Sequence, residues 1–201
     1  MSKAVLISIR PKWVEKIASG EKTIEVRKTK PKLETPFKCY IYCTRDKHLA
    51  FMQNQTGTNL IACMDVDSAI PVGDAIGNGK VIGEFTCDRI YELETKAHGG
   101  SYYVKGEGQS TTNEVARQSC LTLKDMHAYL KAAKGYGWHI SDLLIYDQPR
   151  DLTAFRRGCK NSWYCESCAM YRENNGTCGN ESLQIRRQPQ SWCYVEVMKD
   201  V

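Results

Sequence analysis

The sequence predicts an α+β fold in which short mixed strands carry the core and a few helices flank them. Three observations point that way. Residues 4–9 form an apolar, largely β-branched run. Two other stretches place apolar side chains at helical spacing, one behind Pro11 and one behind Thr122. Residues 23–27 alternate, with Ile24 and Val26 pointing one way and Thr23, Glu25 and Arg27 the other, which is the period of a strand. At 201 residues with 42% hydrophobic content the chain can bury one sizeable core. A single domain over 1–201 is therefore expected, with a loop-rich elaboration at 44–78 and a Cys-rich insertion at 156–187 ahead of the last strand.

The elements follow in order. After the buried first strand, Pro11 suits the first turn of a helix whose Trp13, Val14, Ile17 and Ala18 make an inward stripe, and Gly20 stops it. Trp13 is read as core. The alternating strand is followed by a charged loop with two prolines, and then by a strand over 37–43. There Cys39, Ile41 and Cys43 alternate with Tyr40 and Tyr42, and either set could face the interior. Cys39 and Cys43 make a poor bite for one metal and are taken as packing residues. Residues 44–78 are read as a long loop; Asp65, Asp67 and Asp74 lack calcium-loop spacing, and Gly77-Asn78-Gly79-Lys80 lacks the rest of a phosphate-binding loop. A long strand is expected over 79–93 and a short one over 102–104. A helix capped by Thr122 should run to Ala133, with Leu123, Met126, Leu130 and Ala133 inward. Gly135 and Gly137 lead into Trp138-His139-Ile140, a strand over 143–146 ends before Pro149, and a last strand covers 192–198.

The net charge of +5 is mild, but the basic residues are uneven. Residues 10–38 hold nine Lys or Arg against four acids, and 150–187 is also basic. Two such strips would flank a groove for a polyanion, or simply keep the chain soluble. The apolar run at 4–9 is too brief for a signal core or a membrane span, so a cytoplasmic location without membrane contact is expected. Ten cysteines are then read as reduced thiols, small buried hydrophobes or metal ligands.

Four of them, Cys159, Cys165, Cys168 and Cys178, lie where aliphatic residues are scarce. Four thiolates around a tetrahedral structural zinc would supply the missing stability, and the two-residue spacing from Cys165 to Cys168 is the usual short bite. A disulfide pair or free thiols are the alternatives. Four Cys would leave no open position for catalysis, and neither His98 nor His127 is near in sequence.

The alternating strand carries the chemistry. Glu25 sits among Lys22 and Arg27, so donors and an acceptor are presented together, which suits a small polar or phosphate-bearing ligand. The plainer alternative is one rung of a solvated sheet face. Ser8-Ile9-Arg10-Pro11 followed by Gly20-x-Lys22-x-x-Glu25-x-Arg27 resembles the opening of an ASCH domain, a branch of the PUA-like superfamily. The likeness continues through Gly79-Lys80-Val81-Ile82-Gly83-Glu84-Phe85, Tyr136-Gly137-Trp138-His139-Ile140 and Pro189-Gln190-Ser191-Trp192-Cys193-Tyr194-Val195-Glu196. It spans nearly the whole chain and is similar to the larger ASCH proteins of bacteria and phages.

The resemblance implies a small PUA-like mixed β-barrel flanked by helices. It implies a cleft lined by Lys22, Thr23, Glu25 and Arg27, with Ser8 and Arg10 nearby, and Trp138, His139, Ser191 and Trp192 supplying stacking surface and further donors; a satisfied histidine at the barrel end and core packing are the alternatives for His139 and Trp192. Aromatic faces hold an unstacked base and edge hydrogen bonds tell bases apart, so nucleic acid, in the form of single-stranded RNA, or a modified nucleoside is the expected partner. A small ASCH relative hydrolyses acetylated cytidine with a Lys in this turn and a Thr three residues later; here that position is Glu25, a weak nucleophile toward an amide. Some ASCH proteins are ribonucleases. A hydrolase alternative therefore keeps Glu25 as general base with Lys22 or Arg27 steadying charge, and Glu84 as the near second carboxylate. A protein-interaction module using the zinc insertion is the third reading.

Overall fold

A computed structural model of the chain describes residues 3–54, 57–62, 75–95, 102–131, 133–159, 162–174 and 178–198. In chain order the elements are β1 (Lys3–Ile9), α1 (Pro11–Ala18), β2 (Ile24–Arg27), β3 (Phe37–Cys43), β4 (Leu49–Asn54), β5 (Gly57–Ala62), β6 (Ala75–Ile76), β7 (Val81–Cys87), β8 (Ile90–Thr95), β9 (Tyr102–Val104), α2 (Gln109–Gln118), α3 (Leu123–Leu130), β10 (Gly135–His139), β11 (Ser141–Arg150), α4 (Ala169–Arg172) and β12 (Trp192–Glu196). The class is α+β, as expected. Among the described residues no helix is long and apolar enough to cross a membrane.

The strands pair as three sheets, in the orders β11-β7-β3-β1-β12, β2-β10-β8-β9 and β5-β4-β6. Only β1 and β3 run parallel, so the first sheet is mixed. The first two sheets share corners: the chain passes from β7 to β8 through Asp88 and Arg89, and from β10 to β11 through Ile140. The remaining edges are not hydrogen-bonded to each other, so among the described residues the strands make open sheets rather than the closed barrel expected. The single strand expected over 79–93 is split for the same reason, since it must turn a corner between sheets.

The first sheet buries both faces, which settles the alternation in β3. Cys39, Ile41 and Cys43 join Val5, Ile7, Ile9 and fully buried Trp138 in one core, while Tyr40 and Tyr42 join Ala4, Leu6, Phe155, Ile185 and Val195 in another. Such two-sided burial is typical of strands with near-continuous apolar composition. A third core lies between the second sheet and helices α2 and α3, and it takes Ile24 and Val26 from β2. The opposite face of β2 is thereby left to Glu25 and Arg27.

Several local expectations are corrected. The described part of 44–78 is not loop-rich: β4 and β5 form a hairpin and Phe51 is fully buried in the first core. Asp65, Asp67 and Asp74 lie outside the described residues. Gly79 adopts φ +80° in a turn where Asn78 caps the hairpin, accepting from Phe51 N at 2.8 Å and donating to Leu49 O at 2.8 Å. Strand β11 runs through Pro149 because it is an edge strand paired only with β7, where a missing donor costs no ladder bond. Helix α2 is not legible in the sequence, since Gln109–Gln118 buries only Thr112 and Val115. Helix α3 has the expected Thr122 cap, completed as a capping box by Asp125, but Lys131 turns left-handed and ends it before Ala133.

Candidate functional site

Gly20 (φ +78°) ends α1 and the chain turns so that Lys22 enters the interior before β2 begins. Lys22 is 2% exposed and all three of its protons are used: Nζ donates to Ile24 O at 2.8 Å, to Ser119 O at 2.7 Å, and pairs with Glu25 Oε2 at 3.2 Å. It therefore ties β2 to the end of α2. Arg27 ties β2 elsewhere, its Nη2 donating to Ser8 O at 2.6 Å and pairing with Glu25 Oε1 at 3.1 Å, while Nη1 reaches Ser191 Oγ at 3.5 Å. Glu25 is 7% exposed between the two cations. This is a buried triad and not a rung of a solvated face.

Each Glu25 oxygen makes one rather long ion pair and keeps accepting capacity. Arg27 Nε is buried and has no hydrogen-bond partner among the described residues. Lys22, by contrast, has no donor left.

The triad forms the floor of an open cleft of about 520 Å³. Ser8, Ile9 and Arg10 from the end of β1, Trp13 from α1, Val26 from β2, Thr44 and Arg45 after β3, Leu121 and Tyr129 around α3, and Gln188 to Gln190 ahead of β12 complete its lining. Trp13 is half-buried on the first core and also forms a cleft wall, with the Lys22 ammonium 5.2 Å from its ring centroid. Gly79 leaves room for the Arg45 stem, since a Cβ there would lie 3.1 Å from Arg45 Nε. Arg10 and Arg45 are exposed and form no ion pair among the described residues, whereas Lys16, Lys30 and Lys38 of the basic strip are paired to Glu21, Glu92 and Glu84. Partial burial holds the Tyr129 phenol above its ordinary range; Arg27 opposes this and Glu25 adds to it.

The structure brings together Ser8, Arg10, Lys22, Glu25 and Arg27, with Ser191 touching Arg27 from behind. The remaining candidates go elsewhere. Trp138 lies opposite Glu25 on β10 but is 0% exposed, edge-on to Phe37 at 5.9 Å between ring centroids, so it has no free face for a base. His139 pairs with Asp88 at 2.7 Å at the corner between sheets, outside the cleft. Trp192 packs between Trp138 and Tyr194 and donates to Thr29 Oγ1 at 3.0 Å. Thr23 spends its backbone bonding to Gln118 and Ile140 and does not line the cleft.

Glu84 is not beside Glu25. It sits on β7 in the other sheet, where Lys38 at 2.6 Å and Tyr146 at 2.7 Å donate to it. Burial alone would raise its carboxyl, but those hydrogen bonds outweigh it and hold it below its ordinary value of 4.5. Its contribution to stability is thus present above about pH 4.5 and lost as pH falls through the lower folded value. Glu84→Gln is expected to flatten that part of the acid limb in urea melts collected from pH 6 to 3, and an unchanged limb would contradict the assignment.

Cys39 and Cys43 are buried packing residues as expected, Cys87 is buried with them, and burial pushes the thiols of Cys43 and Cys87 up to about 12. Cys159, Cys165, Cys168 and Cys178 are all free and partly exposed.

Comparison with known proteins places the chain beside ASCH-domain structures. It is similar to ASCH from Zymomonas mobilis, with 16% identity over 96% of this chain and 87% of that one and a TM-score of 0.47. A tyrosine-to-phenylalanine mutant of ZmASCH, from the same organism, gives 17% identity over 97% and 91%, with a TM-score of 0.46. No family model matches the chain, and no curated protein does.

Proposed function

We propose that the cleft binds a nucleobase or nucleotide, presented by single-stranded RNA or as a modified nucleoside, with Glu25 and Arg27 reading its edge and Trp13 and Tyr129 flanking its face. The observation that carries this reading is the Glu25–Arg27 pair, which is 7% and 8% exposed and yet lines an open cleft. A base edge sets amino donors beside ring acceptors, and a carboxylate next to a guanidinium answers both in one plane. Ionised groups already buried and paired are also pre-oriented, so little ordering is needed on binding. Arg10 and Arg45 on the rim suit phosphate oxygens, which position a strand without reading its sequence. The Gly20-x-Lys22-x-x-Glu25-x-Arg27 resemblance to ASCH domains points the same way.

Binding is favoured over hydrolysis because Lys22 has all its protons engaged and no second carboxylate lines the cleft among the described residues. The test is a titration of labelled single-stranded RNA and of nucleosides at several salt concentrations. Affinity for RNA should fall with salt, and Arg10→Ala with Arg45→Ala should lower the slope by about one per lost phosphate contact. Glu25→Gln should change which bases bind, since one acceptor becomes a donor, and every ligand should be recovered intact by mass spectrometry. Undetectable binding at low salt would favour the protein-interaction reading. Cleavage of RNA, or acetate release from acetylated cytidine, that tracks with Glu25 would favour the hydrolase.

A further inference from the structure

The segment from Arg156 to Gln184 is a lobe whose two ends are joined at a neck. Phe155 and Ile185 are buried in the second core, and Ile185 N donates to Phe155 O at 2.8 Å. Next to them Arg156 bridges Gln184, and Arg157 N donates to Leu183 O at 2.8 Å. Beyond this neck none of residues 156–159, 165–174 and 178–184 is buried, and Met170 is 53% exposed. Hydrophobic burial among these residues therefore does little to hold the lobe in shape.

What the lobe does have is four free thiols brought toward one another by independent features. Cys168 N donates to Cys165 O at 3.0 Å, closing a tight turn between these two cysteines, and Cys168 then caps α4, with its carbonyl accepting from Arg172 N at 3.1 Å. The chain returns at Cys178, where Gly179 packs on the same helix so closely that a Cβ would lie 3.0 Å from Met170 O. The thiol of Cys165 is within electrostatic reach of Cys159, Cys178 and Cys168. Among the described residues no three such side chains already stand as a set that could hold an ion. The sulfurs have to draw in together, and small metal lobes commonly gain their final shape in that way.

We propose that Cys159, Cys165, Cys168 and Cys178 bind one structural Zn²⁺ that closes the lobe onto its neck. Each ligand gives up its proton to solvent as it binds, and a dication offsets the mutual repulsion of four clustered thiolates. With four sulfurs the coordination is complete, so the metal stabilises and does not catalyse.

The full chain is purified in reductant without chelator, supplied with ZnCl₂ and desalted, and its zinc is measured by plasma mass spectrometry and X-ray absorption. The expected result is about one zinc per chain with four sulfurs at about 2.3 Å. On unmodified protein, stepwise mercurial titration should release that zinc as about four thiols react. Cys165→Ser with Cys168→Ser should abolish retention, while Cys120→Ser, outside the lobe, should retain zinc fully. A zinc content near zero after reconstitution, full retention in the double variant, or a disulfide among the four cysteines under reducing conditions would each overturn the proposal.

Discussion

Replacing Glu25 with alanine is expected to destabilise the fold by about 3–5 kcal/mol, because it leaves two buried cations without their counter-charge. Lys22 and Arg27 are 2% and 8% exposed and share no other carboxylate among the described residues, and neither can swing into water without abandoning carbonyls of Ile24, Ser119 and Ser8. The loss should appear as a lower urea midpoint with little change in slope. Glu25→Gln should cost less, since the amide oxygen still accepts from one cation. A Glu25→Ala protein as stable as wild type would mean that the triad is solvated, and the recognition chemistry assigned to it would lose its basis.

Trp138→Ala is expected to cost a similar ~3–5 kcal/mol, the usual penalty for emptying a fully buried aromatic site. Trp138 packs among the first core residues beside Phe37 and Trp192 and has no exposed surface. Trp13→Ala should behave oppositely. Its indole is half-buried on the cleft wall, so fold stability should fall less, while affinity for a stacked base should drop by about 1–3 kcal/mol. Urea melts and RNA titrations of both variants, each assayed where it remains folded, separate the two roles. If Trp13→Ala binds RNA as wild type does, that side chain is no stacking platform.

The contrast between these tryptophans shows where the sequence is informative. Alternation in 23–27 places Glu25 and Arg27 on one face and Ile24 and Val26 on the other, and the third core takes Ile24 and Val26 while Glu25 and Arg27 line the cleft, which Val26 also borders. It does not disclose burial, because a strand period is the same whether its polar face meets water or two packed cations. From sequence, Trp13 reads as core and Trp138 as ligand surface. The structure nearly exchanges them, since periodicity gives direction from an element but not what the neighbouring elements bring. Arg45, Tyr129 and Gln188 to Gln190 escape sequence reasoning as lining residues for a related reason. They come from a turn, an exposed helix face and an irregular segment, none of which carries a hydrophobic period. Gln188 and its neighbours adjoin the Ser191-Trp192 block, and proximity to that block is the one available signal. The hairpin of β4 and β5 is hidden because its polar stretches resemble loop, with Phe51 its main buried anchor.

The most direct measurement is a titration of isotopically labelled protein with short single-stranded RNA, followed through indole and guanidinium N–H resonances. The chain has four tryptophans, so the indole signals are few enough to assign by substitution. The Trp13 indole and the Arg27 Nε–H are expected to shift in proportion to saturation, while the Trp138 indole stays in place. Saturable RNA binding that leaves both Trp13 and Arg27 unmoved would contradict this, and would put the interface somewhere other than this cleft.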